Sequence, residues 1–411
     1  MWFPSLFLVE GDPKIFDSQE PTTMSAGILN TTISTTTNTN ICCQDLPWSN
    51  DSAHVTYMSS VAIAVLANFH LISIPLIICL GVLGNLLAFF TFVSKPLRNT
   101  SCSLYLAARS ASDIGFLLAL FVTWLGDAMG VLIYHTNVIC QCVLFLSYVC
   151  GFLSVWLVVL ITAENYIRIC HPFTVSRLCT VPKAKAFIIG FTVGGAIIFH
   201  FPLWITGLNN MNGTVVCNFF PQYVEITRTL THIDTVISLV IPSIVILTLM
   251  VLITHSFIKS FKRQTRLRQG QNAVNGREGS KKKTSPQAKV TRMLFAVSFI
   301  FLSLTLPSYI IRLRILLLTF ENKQSSSPTV DQVMQVIFQI VYYLSFAVNL
   351  IVYLVCGDNF RKVFVDMYIA CFLRSRNPRR KPEFSHTSFT TVRLEAPEAA
   401  QVKEEEETSL T

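Results

Sequence analysis

The chain alternates between long apolar runs and short polar connections. About 20 mainly apolar residues in a helix cross the hydrocarbon core of a bilayer. Seven stretches meet that length: Phe69–Val93, Ser103–Leu125, Ile139–Ile161, Ala186–Leu208, Asp234–His255, Met293–Leu318 and Val333–Cys356. The pattern predicts an all-α membrane protein, a seven-transmembrane helix bundle over residues 69–356. Before it lies a Ser-, Thr- and Asn-rich segment, 1–68, expected to be a disordered, glycosylated tail. After it, Phe360, Val363, Phe364, Met367 and Phe372 fall largely on one helical face. This predicts a short amphipathic helix within 357–373, lying on the membrane surface. Residues 374–411, ending in the acidic run Glu404–Glu407, are expected to be a disordered tail.

Composition supports this reading. Of 411 residues, 52% are hydrophobic and 13% charged, against about 25% charged in soluble domains. That argues against an ordinary soluble enzyme and against a disordered, collagenous or coiled-coil chain. The net charge of +9 comes from residues clustered between apolar runs, which points to topology and not to nucleic acid. The twelve cysteines include no CxxC pair, so structural zinc is not expected. Met1–Glu10 has no basic n-region, so no cleaved signal peptide is expected.

Lys and Arg fall on one side. Lys95 and Arg98 follow span one, and Arg168, Arg177, Lys183 and Lys185 follow span three. The long connection 259–289 and the segment after span seven are more basic still. The positive-inside rule then places the N-terminus outside and the C-terminus inside a plasma membrane. Candidate glycosylation acceptors Asn30, Asn50 and Asn212 all fall outside in that arrangement, whereas the sequon at Asn99 falls inside.

Polar residues inside spans are costly and therefore informative. Asn85, Asp113 and Asn349 are three such residues. They read either as buried groups hydrogen-bonded to one another, or as a cavity for a sodium ion on Asp113, Ser154, Ser345 and Asn349. No other cofactor is expected. On the outer side Cys140 opens span three and Cys217 follows span four, where a disulfide is permitted. Cys142 is an alternative partner for Cys217.

With these residues in view, the chain resembles a rhodopsin-like (class A) G-protein-coupled receptor over residues 69–373. Gly84-Asn85, Leu106 to Asp113, Glu164-Asn165-Tyr166 with Cys170-His171-Pro172-Phe173, Pro242, Pro307 and Asn349-Leu-Ile-Val-Tyr353 match the order of the family's motifs. Cys140 and Cys217 fall where the family's disulfide lies. The resemblance implies an activation switch of Glu164, Asn165, Tyr166, Arg168, Phe301, Pro307, Asn349 and Tyr353. It also implies a heterotrimeric G protein and arrestin as partners, and no enzymatic activity.

Several switch positions depart from the family pattern. Asn165 replaces the family's Arg, with Arg168 a turn further on as a candidate substitute. Met250 stands for the Tyr of span five, Thr305 for the aromatic before Pro307, and Leu350 for the Pro of the last motif. These departures motivate an alternative reading, a scavenging or arrestin-biased receptor; a transporter or channel is a more distant one.

The resemblance also narrows the ligand. Ser147 stands where amine receptors carry Asp, and Tyr343 where opsins carry Lys. Ser147, Tyr148, Tyr309, Arg312, Gln335 and Gln339 are the candidate ligand contacts. Arg312 and Arg314 cannot both point inward, and one of them suits a carbonyl or carboxylate. The nearest likeness is to peptide receptors of the FMRFamide-receptor-like kind. Cys371 is a candidate lipidation site.

Overall fold

The computed structural model describes residues 50–129, 136–211, 214–274, 286–320 and 328–370. Helices α1 to α4 run over Asn50–Val93, Ser101–Met129, Asn137–Cys170 and Val181–Ile198. Helix α5 has three parts: Val224–Thr235, a wider π turn over Val236–Val240, and Ile241–Val274. Helix α6 spans Pro286–Phe320, and α7 comprises Pro328–Ala347 and Asn349–Cys356. A short α8, Asp358–Phe364, follows. Of the described residues, those up to Val365 form one compact unit; Asp366–Ala370, also helical, fall in a second.

Among the described residues, six helices are long and apolar enough to cross a membrane without a break, and α7, bent by 51°, makes a seventh if its two parts are one span. Helix α3 is the axis. It packs against α2, α4, α5 and α6, and most of its length is buried. Outward positions are apolar as well: Phe69, Leu76, Leu80 and Leu83 on α1, and Phe187, Ile189, Val193 and Ile197 on α4 are exposed. A belt of exposed Leu, Ile and Phe around a packed core is the surface expected of a bundle solvated by lipid.

Several boundaries differ from the hydropathy pattern. Helix α5 runs on to Val274 and α6 starts at Pro286, so much of the connection expected over 259–289 is helical, and α3 runs on to Cys170. Helix α1 starts at Asn50, so residues 50–68 of the expected tail are helical. The fifth crossing starts at Pro221, well before Asp234. Its first part alternates Glu225, Arg228 and Thr229 with Ile226, Leu230 and Ile233, and such an amphipathic turn dilutes the mean hydropathy that marks a span. Helix α4 stops at Ile198, and Leu208, expected inside span four, lies in a strand. That strand, β1 (Thr206–Met211), pairs antiparallel with β2 (Thr214–Phe219) and sets Leu208 opposite Cys217. Asn212-Gly213, followed by the β-branched Thr214, Val215 and Val216, was the sequence signal for this hairpin.

Helix α8 matches the expected position of the amphipathic helix. Phe360 and Val363 are buried, and Phe360 sits 4.8 Å from Phe92 and 5.5 Å from Tyr353 between ring centroids. Part of its apolar face is therefore committed to the bundle. Cys371, Asn30 and Asn212 lie outside the described residues, as does the side chain of Asn50.

Candidate functional site

At one end of the bundle the hairpin is tied down. Cys140 at the start of α3 is joined to Cys217 of β2, with Cα atoms 5.8 Å apart. Cys142 is exposed and free. The tie is supplemented by polar contacts: Gln141 donates to the Thr206 carbonyl at 3.1 Å, and the Leu208 amide donates to Asn137 at 2.9 Å.

Below the hairpin Ser147, Tyr148, Asp234, Ser238 and Tyr342 line a narrow cavity together with residues of the next α3 turn. Arg312 reaches into the same region. Its guanidinium stands within electrostatic range of the Asp234 carboxylate and the Tyr309, Tyr342 and Tyr343 hydroxyls. Arg314 takes the other direction and pairs with Asp331 of α7 at 3.4 Å. The two arginines are thus divided, one inward and one toward a partner at the rim. Gln339 donates to the Tyr343 hydroxyl at 2.6 Å. Gln335 is half-buried. Ser147 is turned back on its own helix, donating to the Leu144 carbonyl at 2.8 Å. Tyr148 leans toward the α4 end, stacked on Phe199 at 5.7 Å and edge-on to Phe201 at 5.2 Å. Asp234 was passed over because it was read as the edge of a span; with the helix starting earlier, it becomes a lone buried carboxylate inside one, which was the available signal.

Midway along the bundle the intramembrane polar residues meet. Asp113 accepts from Ser154 at 2.5 Å and from Asn349 at 2.6 Å. Asn85 joins through the backbone of α7, donating to the Phe346 carbonyl at 2.7 Å; Asn349 donates to the same carbonyl at 3.3 Å. The reason is local. The bend between Ala347 and Asn349 interrupts the helical ladder and leaves carbonyls to be satisfied. Two asparagine amides meet that need, although Leu350 stands where a proline would have forced the kink. Ser345 is buried with its hydroxyl unpaired.

Sequence reasoning missed Arg109. It is 1% exposed, its Nε lies 3.7 Å from an Asp113 oxygen one turn along α2, and its guanidinium sits 5.2 Å from the centroid of the Phe301 ring on α6. A charged residue four positions before Asp113 in an apolar span was legible as an intrahelical pair.

At the opposite end Glu164 is buried and Arg168, one turn on, pairs with it. Ser101 of α2 donates to the same carboxylate at 2.8 Å and to the Cys179 carbonyl at 3.2 Å. Burial, and then the Glu164 charge, push the Cys179 thiol up to about 11, with Arg168 pulling the other way. Asn165 is fully buried, and neither of its side-chain polar atoms has a hydrogen-bond partner. Tyr166 packs edge-on to His171 at 5.6 Å. Thr162 on α3 is joined to Ser298 on α6 at 2.7 Å. Pro307 lies inside α6, and Tyr353 is buried against Phe92 at 5.0 Å.

Comparison with known proteins places this architecture. The chain is 24% identical over 348 residues to the thyrotropin-releasing hormone receptor of Gallus gallus, covering 80% of this chain and 86% of that one. It is 24% identical over 327 residues to human neurotensin receptor type 1, covering 74% and 77%. It is 21% identical over 321 residues to the FMRFamide receptor of Drosophila melanogaster, covering 75% of this chain and 54% of that one. The model of the 7 transmembrane receptor (rhodopsin) family matches residues 84–353, from the glycine before Asn85 to Tyr353. That match takes in the bent α7, the Asp113 cluster and the disulfide-tied hairpin, and the chain belongs to the rhodopsin family of seven-transmembrane receptors, which are receptors and not enzymes.

Proposed function

We propose that this chain is a plasma-membrane receptor, N-terminus outside, that binds an extracellular peptide and activates a heterotrimeric G protein. The observation that carries the reading is the Arg312–Asp234 cluster beneath the hairpin. A cation and an anion set among tyrosines offer a peptide terminus or a polar side chain charge-assisted hydrogen bonds. Ser147 stands where amine receptors carry a carboxylate, and the Asp234 carboxylate of the same cavity lies within electrostatic range of Arg312. The relatives named for thyrotropin-releasing hormone, neurotensin and FMRFamide support a peptide. The distribution of Lys and Arg supports the orientation, with Asn30, Asn50 and Asn212 as glycosylation acceptors on the outer side.

Signal transfer requires that ligand bias a two-state bundle. Pro307 removes a backbone donor within α6 and makes a natural pivot. In this reading the Glu164–Arg168 pair restrains the inner end, and Arg168, released from Glu164, supplies the charge that Asn165 lacks. Arrestin and anionic lipid are further partners of the basic end.

A second reading has its own observation. The buried Asn165 amide is unpaired where the family carries Arg, which favours a receptor that binds ligand, or recruits arrestin, with little G-protein turnover. A peptide-library screen on cells with verified surface expression separates the two. G-protein dissociation and arrestin recruitment are read together in the wild type, Arg168→Ala and Asn165→Arg. Dissociation in the wild type that Arg168→Ala abolishes supports the first reading. Arrestin recruitment without dissociation, with dissociation gained in Asn165→Arg, replaces it with the second.

A further inference from the structure

A sodium ion on Asp113, Ser154, Ser345 and Asn349 was the expectation from the intramembrane polar residues. The groups around Asp113 do not suit it. Both carboxylate oxygens are engaged by donors, Ser154 Oγ at 2.5 Å and Asn349 Nδ2 at 2.6 Å. Asn349 therefore turns its amide N–H, and not its oxygen, toward the carboxylate, whereas a bound cation needs lone pairs turned to it. A cation is also already there. Arg109 is buried and has its Nε 3.7 Å from the Asp113 carboxylate. A buried guanidinium has to be compensated by a nearby anion. With the one negative charge so matched, a second monovalent cation would meet repulsion from Arg109 comparable to the attraction of Asp113.

We infer that Arg109 is the resident counter-ion of Asp113, a tethered cation in the place of sodium, and that the receptor is insensitive to sodium. The same guanidinium rests on Phe301 of α6, so the charge that neutralises α2 also holds α6 against it. Arg109 Nε and Nη1 have no hydrogen-bond acceptor, which leaves the ion pair and the aromatic face as their compensation.

The test uses the full chain in detergent and needs no ligand, so it is independent of the peptide reading. Thermal unfolding is followed in sodium chloride and in N-methylglucamine chloride at equal concentration. The wild type is expected to unfold at the same temperature in both. Arg109→Leu leaves Asp113 without a cation, so that the Asn349 amide can turn its oxygen inward, and is expected to gain a saturable sodium-specific rise on the order of 5 °C; Arg109→Lys is expected to show none. A saturable sodium rise in the wild type that Asp113→Asn removes would overturn the inference. Should Arg109→Leu not fold, Asp113→Asn and the double variant decide. Asp113→Asn alone should lower the unfolding temperature and added Arg109→Leu should restore part of it; Asp113→Asn as stable as the wild type would overturn the pairing.

Discussion

Asn349 of α7 donates to the Asp113 carboxylate of α2 at 2.6 Å, a contact across 236 residues of sequence. The same amide donates to the Phe346 carbonyl that the bend of α7 leaves open. One side chain therefore satisfies a buried anion and a broken helical ladder together.

Replacing that amide should lower stability measurably. Asn349→Ala removes a hydrogen bond to a charged group, worth about 1.5–3 kcal/mol. Asn349→Asp sets a second carboxylate beside Asp113 and should cost more. Thermal unfolding of the detergent-solubilised chain measures both, and equal stability of Asn349→Ala and wild type would mean the contact contributes nothing.

The hairpin depends on its disulfide. The bridge closes 77 residues of chain, and chain-entropy reasoning puts its loss at about 4 kcal/mol. Cys140→Ser and Cys217→Ser should each lower surface expression and unfolding temperature. Cys142→Ser, at an exposed free thiol, should leave both unchanged.

Cys179 reports on Glu164. Burial and that carboxylate hold the thiol near 11, so little thiolate exists at pH 8 and alkylation there should be slow. A neighbouring anion disfavours the thiolate; Glu164→Gln removes it and leaves Arg168, so the thiol should fall and alkylation at pH 8 should quicken several-fold. Mass-spectrometric labelling of Cys179 in the two proteins reads this directly.

The mouth can be tested by exchanging charge. Asp234→Asn and Arg312→Gln should each weaken peptide activation by about tenfold or more, the scale of a lost charge-assisted contact. Asp234→Arg with Arg312→Asp should recover part of what either reversal loses alone. Concentration–response curves with surface expression matched measure it, and additive losses in the double variant would mean that the two residues act separately.

How much of this was legible beforehand follows from which forces are local. Seven apolar runs, their bracketing by Lys and Arg, and the isolated Asn85, Asp113 and Asn349 are properties of composition along the chain. A bilayer imposes its length on any helix, so crossing number and fold class follow from the sequence. The ordered motifs from Gly84 to Tyr353 likewise carried the family.

What remained depends on which faces meet. Hydropathy could not see that α5 begins before Asp234, because an amphipathic turn averages to a polar one. Two equal arginines, Arg312 and Arg314, could not be divided by sequence; Asp331 draws one to the rim and Asp234 with three tyrosines receives the other. Cys142, two residues from Cys140, stood as an alternative partner that the residues alone could not exclude; the hairpin sets Cys217 against Cys140. A sodium site and an internal ion pair draw on the same Asp113. The Arg109–Asp113 pair is one turn of a single helix and could be read from spacing; tertiary packing added the burial of Arg109 and the Phe301 ring beneath its guanidinium. Spacing fixes what a residue can offer; burial and distance to groups hundreds of residues away fix what it is offered to.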